Sequence, residues 1–336
     1  MTRVALMGFG RIGRNLFRTL YKRDDIRVVA ISDVADPKAL EYLLRFDTLL
    51  GRFPDLVSIK DGNLYVWGRQ VRMLNGEEGE TLRWDELGVD VVLETTARPL
   101  PRAALARHLE RGAKRVIQCS PPSEPLDLTV VRGVNDDLLR PEHRIVSNAS
   151  STVHCAAPVL KILDEAFGIE RAMFTTIHAY TNWHRLADVP ADDMRRGRAA
   201  PENIIPQESR SPRMLEELLP SLAGKITGAA MNVPVRNGSA VDLVCWHTRK
   251  VTPAAINEVV RTAADGRYAG VVSYVDDPIV SCDVVKSDFS STFDSLATMV
   301  LGERLSKTLS WYDAGWGYAQ RVVDLVTRFA GMEAGR

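Results

Sequence analysis

A short apolar run, RVALM at residues 3–7, passes directly into G-F-G-R-I-G at residues 8–13 and then into NLFRTLYKR, where Leu16, Phe17, Leu20 and Tyr21 recur at helical spacing. The glycines force a strand through a tight turn into a helix. Gly8 allows the turn, Gly10 lets a pyrophosphate approach the backbone, and Gly13 lets helix and strand close up. The helix N-terminus that follows favours anions through its unpaired N–H groups and its macrodipole. A second apolar run, VVAIS at 28–32, ends in Asp33, twenty residues beyond Gly13. There a carboxylate accepts a hydrogen bond from a ribose 2′-hydroxyl and disfavours a 2′-phosphate, so the unit is expected to bind NAD in preference to NADP.

Further apolar runs at 89–93, 115–118 and 144–146, separated by the helix-like ALARHLERG, extend this unit into a parallel, doubly wound sheet over residues 1–150. IKDGNLYVWGRQVRML alternates about D-G and G-R turns and predicts an antiparallel insert. After residue 150 the texture changes. One helix-like stretch, APVLKILDEAF, precedes β-rich runs at 171–180, 227–235, 239–248, 271–285 and 294–311, which predict a mixed sheet packed on helices. The polar, Arg- and Pro-rich segment 181–213 is too long for an ordinary connection and is expected to be functional or mobile. The tail GYAQRVVDLVTRFAG is amphipathic through Val322, Val323, Leu325, Val326 and Phe329. The expected fold is therefore α/β: a Rossmann NAD-binding domain at 1–150, with a C-terminal helix at 315–336 packing back on it, and an α+β catalytic domain at 151–314.

Composition narrows the partners. A length of 336 residues suits two domains, and 43 basic against 43 acidic residues leave no charge excess to draw the chain to nucleic acid or a membrane surface. Cys119, Cys155, Cys245 and Cys282 show no C-x-x-C spacing, and the N-terminus enters a strand pattern at once, so a cytoplasmic, reducing setting is expected. No apolar run approaches the ~20 residues of a membrane span. No recognised metal-ligand spacing is present either.

SNASSTVHCAAP at 147–158, TTIHAYTN at 175–182, DDMRRGRAAPENIIP, SAVDLV, SSTFD and WYDAGWGY stand in an order and spacing that resembles the phosphorylating glyceraldehyde-3-phosphate dehydrogenase family over essentially the whole chain. The resemblance implies NAD as cofactor, a homotetramer, and a small aldehyde or acyl substrate with phosphate. It also implies a chemistry in which a cysteine thiolate attacks the aldehyde, hydride passes to nicotinamide and phosphate cleaves the thioester. By the same resemblance Gly8, Gly10, Arg11, Ile12, Gly13, Asp33, Thr96 and Ser120 fall on cofactor positions. His178 falls on the base, Ser150 and Thr152 flank the nucleophile, Thr181 contacts substrate phosphate, and Arg196 and Arg198 lie in the cationic loop.

Several positions depart from that pattern. The nucleophile position is Ser151, whose hydroxyl cannot be ionised in advance as a thiol can and would depend on His178 to remove its proton during attack. A helix cap, or an engineered replacement in a cysteine enzyme, is at least an equal account of Ser151. Asn232 replaces the arginine that holds substrate phosphate, Trp183 and His184 replace Asp-Gln, and Ser209 and Arg210 replace Thr-Gly, with Arg210, Arg213 and Arg236 as candidates for relocated charge. Ala314 replaces the asparagine that binds the nicotinamide carboxamide, and Ala97 and Pro99 replace Gly and Phe. His154 and Cys155 share a helix face with position 151. The expected function is an NAD-binding oxidoreductase that oxidises an aldehyde through position 151 with His178 as base, either crippled or adapted to another aldehyde. The alternatives are a non-catalytic NAD-binding subunit and a serine-based acyl transferase.

Overall fold

A computed structural model describes residues 1–76, 81–96 and 98–334. Two compact units divide the chain: Met1–Arg132 with Asp136–Ser150 and Ala319–Arg336, and Gly133–Asn135 with Ser151–Tyr318. Ala97 lies outside the described residues.

In the first unit, β1 (Thr2–Met7) runs through the glycine turn into α1 (Arg11–Leu20), which returns the chain to β2 (Ile26–Ser32). Leu16, Phe17 and Leu20 lie on the buried stripe of α1, each contributing about 1.5–3 kcal/mol by leaving water. α2 (Pro37–Arg45) starts where the Asp36 carboxylate accepts from the N–H groups of Lys38 and Ala39, with Pro37 preset for the first turn. A two-residue hairpin, β3 (Phe46–Asp47) and β4 (Gly51–Arg52), leads to β5 (Val57–Lys60), β6 (Asn63–Val66) and β7 (Arg69–Leu74). These last three form the antiparallel insert, and β7 joins the main sheet parallel to β2.

Its second turn is one residue earlier than the G-R expectation. Trp67 and Gly68 both have positive φ (51° and 69°), as do Asp61 and Gly62 at the first turn (49° and 72°). A two-residue hairpin loop with the twist of its strands needs both central residues in that region, which leaves Arg69 to begin β7.

The unit continues with β8 (Val91–Glu94), α3 (Arg102–Glu110), β9 (Arg115–Gln118), β10 (Leu128–Thr129) and β11 (Ile145–Ser147). Among the described residues the sheet has the order β10-β11-β9-β8-β1-β2-β7-β6-β5. Chain order reverses between β1 and β8, the point at which doubly wound sheets open a crevice at their carboxyl ends. The C-terminal helix buries Ala319, Val322, Val323, Val326 and Phe329. Within this unit Arg115 lies 4.7 Å over the Phe329 ring, and ion pairs join Arg132 to Asp324 (2.6 Å) and Arg328 to Asp136 (2.8 Å).

The second unit begins with α4 (Ser151–Phe167) and β12 (Ile169–Ala179), followed by β13 (Ile205–Glu208), α5 (Ser211–Leu218) and β14 (Ile226–Val233). β15 (Ser239–His247), α6 (Pro253–Asp265), β16 (Val272–Val275), β17 (Ser291–Leu301), β18 (Leu305–Tyr312) and α7 (Trp316–Ala334) complete it, α7 crossing into the first unit at Ala319. The mixed sheet has the order β13-β14-β12-β15-β18-β17-β16.

Two expected strands are corrected. The 271–285 run stops at Val275, where Asp276, Asp277 and Pro278 break it before a 3-10 turn at Ser281–Val284. The 294–311 run is two antiparallel strands turning near Gly302, whose φ is 63°. Within 181–213 the turns are tied locally: Asp188 accepts from the Ala199 N–H (2.9 Å) and pairs with Arg198 (3.0 Å).

Candidate active site

The glycine turn of the first unit is built for a bound dinucleotide. Gly8 has φ +92°, and a Cβ there would stand 3.0 Å from the Thr96 nitrogen, so only glycine fits the turn against the end of β8. A Cβ on Gly13 would meet the Gly8 carbonyl at 2.4 Å, which is the close helix-to-strand approach. At Gly10 there is nothing within 4 Å of that position, leaving its backbone open to a ligand. Gly10 is also the N-cap of α1 and supplies no side-chain cap. The first-turn N–H groups of Arg11, Ile12 and Gly13 therefore lack an intrahelical acceptor and are free for phosphate oxygens.

The neighbouring strand ends hold this cradle in shape. Thr95 donates its hydroxyl to the carbonyls of Met7 (2.9 Å) and Gly8 (2.6 Å). Asp33, at the end of β2, accepts from the N–H groups of Phe9 (2.7 Å) and Ala35 (3.0 Å), which fixes its carboxylate and leaves lone pairs for ribose hydroxyls. Thr96 donates its hydroxyl and its N–H to buried Glu94. The Ser120 hydroxyl accepts from Gln118 (3.0 Å), and its carbonyl accepts from Ser147 (2.9 Å). Gly8, Gly10, Arg11, Ile12, Gly13, Asp33, Thr96 and Ser120 thus stand at the carboxyl ends of β1, β2, β8 and β9 and the start of α1, and these residues fit NAD. Ser150 follows the end of β11 in this unit. The buried Ala149 before it has φ +49°, a left-handed turn that sends the chain into α4.

In the second unit, Ser151 is the first residue of α4 and Thr152 the second. The Thr152 hydroxyl lies 2.9 Å from the hydroxyl of Tyr312, which is buried and whose acidity is suppressed by that burial. His178, near the end of β12, sets its ring edge-to-face against the same tyrosine at 6.1 Å. Tyr312 is thus the floor shared by the helix start and the histidine. His178 Nδ1 is 2.6 Å from the Ala179 carbonyl. A carbonyl only accepts, so Nδ1 carries a proton, and in the neutral ring Nε2 is the nitrogen with the lone pair that a general base uses.

The sheet register extends the site sideways. Ile205, Asn232 and His178 are neighbours across β13, β14 and β12, and β15 brings Ser239 opposite Tyr312 on the other side. Ser239 also accepts from the Ala179 N–H (3.1 Å). Past the end of β12, the Thr181 N–H and hydroxyl lie 3.0 and 3.1 Å from His184 Nδ1, and His184 Nε2 lies 3.0 Å from the Gln207 amide. Desolvation, with Arg196 adding to it, holds the His184 pKa below its usual value. Trp183 is 61% exposed. Ser209 accepts from the Ser211 N–H (3.2 Å) at the start of α5, and Arg210 is exposed as the N-cap of that helix. Both follow the Glu208 end of β13, whereas Asn232 pairs with Ile205 at the other end.

The structure removes Cys155 as a substitute nucleophile. It is fully buried, its Sγ lies 3.6 Å from the Ser291 hydroxyl, and burial pushes its thiol up to about 12. His154 is buried against Tyr318, the rings 5.9 Å apart, as a packing residue. Sequence reasoning missed Tyr312, Ser239 and Glu94. The first two lie in WYDAGWGY and SAVDLV, where only the ends of alternating strand runs marked them, and Glu94 closes an apolar strand just before Thr96.

A doubly wound unit whose glycine cradle fits a dinucleotide, in one chain with a mixed-sheet unit carrying a histidine at a strand end, suits the class of NAD-binding oxidoreductases. The family follows from comparison with known proteins. Residues 2–100 match the family model "Glyceraldehyde 3-phosphate dehydrogenase, NAD binding domain", and residues 150–314 match its C-terminal domain. The chain is 45% identical over 329 residues to a glyceraldehyde-3-phosphate dehydrogenase of Geobacillus stearothermophilus, covering 98% of each chain. It is 44% identical over 331 residues to glyceraldehyde-3-phosphate dehydrogenase 2 of Streptomyces avermitilis, again 98% of each. The Mycobacterium leprae glyceraldehyde-3-phosphate dehydrogenase is 44% identical over 331 residues, 96% of this chain and 97% of that one. The chain belongs to the glyceraldehyde-3-phosphate dehydrogenase family, and NAD is its cofactor.

Proposed function

We propose that this chain is an NAD-dependent aldehyde-oxidising member of its family whose turnover is limited by the hydroxyl at position 151. The supporting observation is His178, whose Nδ1 lies against the Ala179 carbonyl and whose ring packs on the tyrosine that also holds the first turn of α4. The Ser151 oxygen forms a bond to the aldehyde carbon while its proton passes to His178 Nε2 and the carbonyl π pair moves to oxygen, and return of that pair breaks the C–H bond to give up a hydride. NAD, when bound, supplies the hydride acceptor. The product held on Ser151 is an oxygen ester, less reactive toward phosphate than a thioester, so release is slow as well as attack. Asp33 and the glycine turn bind the cofactor, while Ala314 offers its carboxamide no side-chain partner. Ser150, Thr152 and Thr181 line the substrate side, and phosphate is the second substrate.

The assembly is a cytoplasmic homotetramer. Its support is the outer face of the second sheet, where Met173 (59% exposed) and Trp246 (45%) border an apolar depression with Ile226, Val244 and Leu305. No helix among the described residues is long and apolar enough to cross a membrane.

The test compares the chain with Ser151→Cys, following NADH formation from plain and phosphorylated aldehydes with and without inorganic phosphate. Phosphate-dependent turnover that rises in the Cys form supports the proposal. Silence in both forms despite NAD binding favours a non-catalytic NAD-binding subunit. Ester hydrolysis by the Ser form that is lost in His178→Ala favours acyl transfer, for which the Nδ1 partner is a carbonyl and not the orienting carboxylate of a triad.

A further inference from the structure

Asn232 is 4% exposed, stands beside His178 across the β12–β14 pair, and has an amide nitrogen without a hydrogen-bond partner. Two residues before His178 on the same face, Thr176 is 1% exposed and its hydroxyl is likewise unpartnered. Buried donors are costly to leave unmade. Two of them in diagonal positions of one sheet face, adjoining the base, point to an acceptor that arrives with the substrate.

The arginines that could replace the missing charge are exposed or paired within their own segments. Arg196 pairs with Asp193 (3.3 Å), Arg198 with Asp188 (3.0 Å) and Arg213 with Glu217 (3.2 Å), each within its own segment. Arg210 and Arg236 are exposed, where solvent screens their charge. The N–H and hydroxyl of Thr181 are taken up by His184, which Gln207 holds from the other side. A neutral amide facing a phosphate dianion replaces neither its hydration nor its charge.

We infer that the face beside His178 selects aldehydes whose far end carries an uncharged acceptor oxygen, a hydroxyl or a carbonyl, and discriminates against a terminal phosphate. Asn232 is the specificity-determining residue, and His184 with Gln207 is the positioning pair that fixes Thr181. This rests on the aldehyde-oxidising reading for the head of the substrate and concerns only its tail.

The test is ligand-observed NMR on the NAD-loaded chain with glyceraldehyde and glyceraldehyde 3-phosphate as probes. The slow turnover of the Ser151 form permits binding to be read before the probes are consumed. Glyceraldehyde is expected to bind about tenfold or more tightly than its phosphate, and Asn232→Arg is expected to reverse the order. His184→Asn should preserve the order and weaken both ligands, whereas His184→Leu should weaken both further. Tighter binding of the phosphate by the unaltered chain overturns the inference. So does a phosphate preference that Arg210→Ala or Arg236→Ala abolishes, or the binding of neither probe. Glyceraldehyde preference with no NADH from Ser151→Cys would remove the aldehyde-oxidising reading and leave the tail assignment standing.

Discussion

At the scale of single residues, the proposed chemistry turns on two side chains, one beside a backbone carbonyl and one at a helix start. His178 has Nδ1 committed to the Ala179 carbonyl, and on the proposed role its deletion should remove general-base assistance. In the Ser151→Cys background, His178→Ala is expected to lower kcat by roughly 10²–10⁴-fold. A steady-state comparison checks this, and an unchanged kcat would show that the imidazole takes no proton. The cysteines divide just as sharply. Cys119, Cys155 and Cys245 are buried, and burial raises all three thiols, whereas Cys282 is exposed. A thiol-reagent titration of the folded chain at neutral pH should therefore find one fast-reacting cysteine, lost in Cys282→Ser, and Ser151→Cys should add a second. Fast labelling of Cys155 would contradict its burial on the inner face of α4.

At the scale of elements, the glycine turn separates packing from binding. Gly13→Ala drives a Cβ into the Gly8 carbonyl and should destabilise the chain by about 1–3 kcal/mol as α1 is pushed from β1. Gly10→Ala meets open space, so its unfolding midpoint should hold while NAD affinity falls. Denaturant unfolding with cofactor calorimetry separates the two. Equal stability losses would mean that Gly10 serves packing alone. The turn was legible in the sequence because each glycine answers a local requirement: a positive φ, a close approach, an open backbone. The amphipathic tail was legible for the same reason, since Val322, Val326 and Phe329 declare their face by spacing. The lateral row of Asn232, His178, Ser239 and Tyr312 was not. It depends on the register of strands dozens of residues apart, and periodicity within one strand cannot reveal which residue of another lies beside it. The Trp67–Gly68 turn shows the local limit, because D-G and W-G hairpins share a backbone but only one has a familiar sequence.

At the scale of the whole molecule, stability and assembly carry their own tests. Burial depresses the pKa of both His184 and His247 below the usual histidine value of about 6.5, so each is neutral in the folded chain at pH 7. The unfolded chain takes up these protons first as pH falls, so stability is full above about pH 6.5 and declines as pH drops from there toward the folded pKa values. Urea midpoints should therefore be lower at about pH 5.5 than at about pH 7.5, and His247→Asn, replacing a residue bonded to Gly168 and Ser306, should reduce the difference. A higher midpoint at the acid end would reverse the assignment. Met173→Lys, on the exposed sheet face, is expected to convert the proposed tetramer to smaller species in sedimentation velocity, and an unchanged particle would place the interface elsewhere. The central claim is that a working NAD cradle and base are joined to a nucleophile position of the wrong chemistry. A single-turnover trace tests it most directly: NAD-saturated Ser151→Cys mixed with aldehyde in the absence of phosphate. A burst of NADH approaching one per subunit, absent from the unaltered chain, is the expected result, and a Cys form that binds NAD and aldehyde yet gives no burst would contradict it.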